Sequence, residues 1–143
     1  MVGTHSQRRR NERGAAAVEF ALIVPILLTM VFGIVDFGMA INRYAMVNNA
    51  AREGVREASL GATESEIKAV VTKSMSDVSG TVVVTIACKK PDGTTTCTSW
   101  NVGAETGGIA EVTVDVTSDW LTPIGTLVAS KLKVAKTSKM RIE

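Results

Sequence analysis

Ala15 to Val35 reads AAAVEFALIVPILLTMVFGIV, a stretch of 21 residues with one charge, Glu19. An apolar run of about 20 residues is the length of one helical bilayer crossing. Arg8, Arg9, Arg10 and Arg13 lie just upstream. Basic residues tend to stay cytoplasmic, so this end is expected inside and the remaining chain outside. The sequence therefore divides into a basic cytoplasmic leader (1–14), a membrane helix (15–35), an extension of that helix (36–60) and an extracytoplasmic domain (61–143). Glu19 is the anomaly. A carboxylate a turn inside the membrane costs a few kcal/mol on insertion scales and marks a functional position by default.

Gly14 closes the leader, four mostly small residues follow, and Glu19 comes fifth at the head of the span. This arrangement resembles the processing site of type IV pilin-like proteins. The longer string RGAAAVEFALIVP, followed by GIVDFG and NNAAREGVREAS, resembles the TadE-like minor pilins (pseudopilins) of the Tad tight-adherence pilus, closely over residues 12–60 and loosely beyond. The resemblance implies cleavage between Gly14 and Ala15 by a prepilin peptidase. It implies assembly positions at Glu19 and its neighbour Phe20. It gives the protein the inner membrane, the peptidase and other pilin-like subunits of the Tad system as partners, in the filament, at its ends or in the membrane platform. The chemistry of Glu19 agrees. Cleavage would leave an ammonium on Ala15, and a neighbouring subunit's Glu19 could pair with it, offsetting the cost of both charges in hydrocarbon.

A competing reading is a membrane-anchored extracytoplasmic binding domain with an uncleaved signal anchor, in which Glu19 snorkels toward the cytoplasmic interface. An ordinary signal peptide cut near Gly38-Met39-Ala40 is disfavoured by the length of the apolar run and by the helical pattern continuing past it. Arg9-Arg10 lacks the apolar pair of a twin-arginine signal. Major pilins of the family are typically little more than the helix, so the residues after 60 count against that role.

The formal net charge is +2, but the leader holds four Arg and one Glu, leaving 12 basic and 13 acidic side chains in the rest. The basicity belongs to the leader, which removes the main support for nucleic-acid binding. The one histidine, His5, lies in that leader, so no Ser-His-Asp or Cys-His arrangement can be built downstream. No cluster has metal-ligand spacing, and the Gly103 to Gly108 stretch lacks the frame of a phosphate loop. The expectation is no enzyme, no cofactor and no metal. Cys88 and Cys97 both fall on the outer side, where a disulfide is the expected state. KKPDGTTT between them reads as a loop.

Pro25 inside the span predicts a bend, since it removes a backbone donor and crowds the carbonyl of Ala21. Beyond Val35 the helix is expected to continue to a stop at Gly61, with one stripe formed by Ile34, Phe37, Ile41, Tyr44, Asn48, Ala51, Val55 and Ala58. Thr63-x-x-Glu66 has the form of a capping box and opens an amphipathic helix over 64–77. Alternation predicts strands at 81–87, at 109–117 with Ala110, Val112, Val114 and Val116 inward, and from Leu132 to Ile142 with a break near Lys136. Thr122-Pro123 suits the opening of a short helix. The expected fold is α+β: a long N-terminal transmembrane helix running into a small domain with an amphipathic helix and a roughly antiparallel three-stranded sheet. The leader is expected to be unstructured.

Overall fold

The computed structural model describes the backbone of residues 5–143 and the side chains from Gly14 onward. Helix α1 spans His5–Ser59 without interruption. The leader thus differs from expectation, since from His5 its backbone continues α1. The physical reason is propagation. A helix already nucleated extends cheaply through Arg, Gln and Glu, all good helix formers. Residues 1–4 and the leader's arginine side chains lie outside what is described. The helix also runs on through Pro25, where the hydroxyl of Thr29 donates to the Pro25 carbonyl at 2.7 Å.

At its far end α1 stops in a turn whose Gly61 has φ 80°, a conformation in which a side chain would be strained. Helix α2 follows, Glu64–Ser74, ending three residues before expectation. Its capping box is formed: the Thr63 amide donates to Glu66 at 2.8 Å, and the Glu66 amide donates to the Thr63 hydroxyl at 3.4 Å. Glu64 and Lys68 pair one turn apart at 2.5 Å. The sheet consists of β1 (Thr81–Lys89), β2 (Ile109–Ser118) and β3 (Leu132–Arg141), in the order β1-β2-β3 and antiparallel throughout. Two short helices occupy the connections, α3 (Trp100–Gly103) and α4 (Pro123–Val128). Among the described residues this is an α+β arrangement, with one long helix laid across α2 and one face of the sheet.

The core lies between that face and the C-terminal part of α1. Ala110, Val112 and Val114 are fully buried and Val116 nearly so, with Glu111, Thr113 and Asp115 on the opposite face. Val47, Ala50, Ala51, Gly54, Val55 and Ala58 of α1 meet them, with Ile67 and Val71 of α2 filling the third side. Small residues at 50, 51, 54 and 58 let the α1 backbone approach closely. A Cβ built on Gly54 would stand 2.6 Å from the Val71 Cγ2 and 3.2 Å from the Val112 Cγ1.

Two expectations about faces need correction. The stripe predicted on α1 divides in two. Ala51, Val55 and Ala58 are buried, but Ile34, Phe37, Ile41 and Tyr44 are 51–71 % exposed. The face that turns inward at that height carries Asp36, Ala40 and Arg43 instead. A sequence stripe cannot separate these cases, because near a bilayer an apolar side chain need not face its own protein's core. Strand β3 is also unbroken at Lys136. Lys136 has inward parity, and its ammonium lies 5.7 Å from the centre of the Tyr44 ring and 3.4 Å from its hydroxyl. The long stem lies along apolar surface while the charge finds an aromatic face, so the strand need not break to expel it.

Candidate functional site

The head of α1 carries the positions singled out from sequence. Gly14, Ala15, Glu19 and Phe20 are all exposed, Phe20 by 69 %. They occupy successive places on one unbroken helix, so Ala15 and Glu19 fall one turn apart on the same face. A Cβ built on Gly14 meets nothing within 4 Å. Among the described residues nothing requires glycine there. The Gly14–Ala15 peptide lies within the helix, and glycine lowers the cost of unwinding it locally. From Val18 to Val35 most large apolar side chains are exposed, Val18, Ile23, Ile26 and Met30 among them. Over this length only Val24, Phe32 and Gly33 are partly covered, Gly33 in a cleft shared with α4.

Where the apolar run ends, the C-terminal domain is fastened to α1. Asp36, one residue past Val35, is only 5 % exposed. Its carboxylate accepts from the Thr122 amide at 3.0 Å, the Thr122 hydroxyl at 2.5 Å and the Gly125 amide at 3.0 Å. Thr122 is the N-cap residue of α4 but makes no side-chain cap of its own. Asp36 supplies that cap from another element and satisfies amides that would otherwise be orphaned. These donors, the Thr122 hydroxyl foremost, hold the Asp36 carboxyl below the usual carboxylate range against the opposing effect of burial. Gly125 is required by closeness, since a Cβ there would stand 2.5 Å from the Trp120 ring and 2.7 Å from the Asp36 Oδ2.

Two further fastenings lie farther out. Arg43 donates to the Ser79 carbonyl at 2.8 Å and to its hydroxyl at 2.9 Å. The Glu143 amide donates to the Ser59 carbonyl at 2.9 Å, fixing the last residue to the last residue of α1. The sequence reading singled out none of these three attachments. A signal for Asp36 existed. An acidic residue placed directly after an apolar span hints at a polar partner supplied by another element.

Cys88, in β1, and Cys97 are disulfide-bonded, with Cα atoms 5.4 Å apart. The bridge closes the loop between them, and the Cys97 amide donates to the Cys88 carbonyl at 2.9 Å. Within that loop Asp92 accepts from the amides of Thr94 and Thr95, both at 2.8 Å, and from the Thr95 hydroxyl. Those bonds, the hydroxyl first, bring its carboxyl down to about 2. Among the described residues no group of His, Cys, Asp and Glu could hold a metal ion.

The exposed head at Gly14 to Glu19, the uncovered apolar span and the docked extension form one continuous helical unit. Residues 14–56 match the family described as TadE-like protein. The match begins at Gly14 itself and ends at Arg56, in the last turn of α1. The TadE-like segment is therefore the span and its extension, while the sheet and α2 lie beyond it. No curated protein and no solved structure matches the chain. The matched segment includes a helix long and apolar enough to cross a membrane.

Proposed function

We propose that this protein is a minor pilin (pseudopilin) of Tad pilus assembly. It sits in the inner membrane with residues 1–14 cytoplasmic and the α+β domain outside. A prepilin peptidase trims it after Gly14, and it then joins or primes the filament beside other pilin-like subunits. The observation that carries this reading is the extent of the family match. It opens at Gly14, takes in Glu19 and covers the whole apolar span. The role is structural rather than enzymatic. After cleavage the ammonium of Ala15 and the carboxylate of Glu19 stand on one face, and each can pair with its counterpart on a neighbouring subunit.

Two measurements test it. Intact mass of membrane-extracted protein, from cells containing the peptidase, is expected to lack residues 1–14. Replacing Gly14 by a bulky residue is expected to leave the full-length chain, and a Cβ there meets no described atom within 4 Å that would disturb the fold. Glu19→Ala is expected to be processed and stable in the membrane, yet to fail in pilus formation at matched protein level. Glu19→Asp, one methylene shorter, is expected to be partly defective. Retention of the leader in the wild type, together with normal piliation by Glu19→Ala, would favour a simple tethered domain.

A further inference from the structure

We propose that the β2–β3 connection is a second membrane contact, in which α4 lies in the outer lipid interface beside the point where α1 leaves the bilayer. This rests on the reading of Ala15 to Val35 as a membrane span. Hydrogen bonds from Thr122 and Gly125 to Asp36 fix the height of α4 at the outer end of that span. Ile124 and Val128 border a shallow cleft of about 190 Å³ that also reaches Gly33 and Phe37 of α1. Gly33 lies within the apolar run, about 4–5 Å along the axis on the membrane side of Asp36.

The surface presented there suits lipid. Leu121, Leu127 and Val128 are 67 %, 85 % and 82 % exposed. No charged residue occurs from Leu121 to Ser130, and the charges that bracket the segment, Asp119 and Lys131, pair with each other. The Trp120 indole donates to the Ala129 carbonyl at 2.8 Å, which ties the two ends of the segment together and leaves no unmet donor on the ring. An apolar tip, a tryptophan and flanking charges at one height make an interfacial anchor. The apolar surface of α4 is continuous with the uncovered surface of the span, and lipid that covers one reaches the other.

The test uses the full chain in phosphatidylcholine vesicles containing lipids brominated at shallow or deep acyl positions. Single additions of tryptophan report depth: Leu127→Trp in α4, Val102→Trp at an exposed position of α3, and Leu27→Trp inside the span. Each is compared with the parent protein, so that only the added fluorescence is read. Leu127→Trp is expected to lose most of its added signal to shallow bromolipids and Val102→Trp to lose none, while Leu27→Trp is quenched by the deep ones. Quenching at Leu27→Trp with none at Leu127→Trp overturns the inference and leaves the span intact. If position 127 is then also shielded from aqueous iodide, a second subunit covers it instead of lipid. Absence of quenching at Leu27→Trp overturns the span and the inference together.

Discussion

At Gly54 the domain approaches its helix closely, and adding one methyl there tests the packing directly. In Gly54→Ala the new Cβ would start 2.6 Å from the Val71 Cγ2. Ordinary carbon contacts are about 3.5–4.0 Å, so the pair must part by roughly 1 Å. Val71 cannot simply turn away, because a β-branched side chain in a helix has one strongly preferred rotamer. Overpacking of this kind costs about 1–3 kcal/mol. Alanine also returns about 1 kcal/mol through helix propensity. The net expectation is a loss of up to about 2 kcal/mol, and the propensity term makes the single mutant ambiguous. A double-mutant cycle resolves it. Val71→Ala alone leaves a cavity and destabilises. Combined with Gly54→Ala, the new methyl enters the vacated space, and the double mutant is expected to be more stable than the sum of the singles by about 0.5–3 kcal/mol. The assay is urea unfolding of the full chain in detergent, followed by the fluorescence of Trp100, which is buried and donates to the Ala62 carbonyl at 2.8 Å. Additivity within about 0.3–0.5 kcal/mol would show that the two side chains do not compete, and the close approach of α1 to α2 would be refuted.

Asp36→Asn keeps the size but turns an amide toward the donors of α4. Exchange at the Gly125 amide is expected to quicken by about tenfold or more, the scale of one hydrogen bond to a charged group, while amides of β2 stay protected. Cys88 and Cys97 are expected to resist alkylation in denatured, non-reduced protein from the oxidising side, and to label fully after reduction. Losing a closed loop of this size is expected to cost the outer domain about 2–3 kcal/mol in urea unfolding. The loop around Asp92 is expected to tolerate acid. Its carboxyl is depressed to about 2, so the stabilisation is fully present above the unfolded value of about 3.9 and is lost as pH falls through 2. Amide shifts of Thr94 and Thr95 that move with a midpoint near 4 instead would contradict the observed hydrogen bonding.

Much of the architecture was legible because each signal had a local cause. The capping box at Thr63 and Glu66 is formed by residues three apart, and the alternation of β2 reflects one buried face. The inward face of α1 was not legible at the height of Phe37 and Tyr44. There the apolar residues look outward, and the domain is held by Asp36 and Arg43, polar groups whose partners lie 86 and 36 residues away in sequence. Periodicity reports where apolar side chains fall on a helix, and it cannot say which solvent or partner they meet. Lys136 was misleading for a related reason. A lysine of inward parity looks like a strand break until the Tyr44 ring that receives it is known. Near the start of the apolar run the positions Gly14, Ala15 and Glu19 are singled out through a resemblance to type IV pilin-like processing sites. Their purpose depends on molecules outside the chain.

The absence of any joint between Val35 and Asp36 has a geometric consequence. Each residue of an α-helix turns the chain by about 100° and advances it about 1.5 Å. Between Glu19 and Asp36 the axis advances about 25 Å, and the compass bearing of the carboxylate relative to the sheet is set by residue count. Helix and domain are keyed to one another like a shaft and its wheel. One inserted residue would swing Glu19 by about 100° away from its bearing, while seven would bring it back to within about 20°. Any neighbour that fixes the azimuth of Glu19 therefore also decides which side of the outer domain points outward.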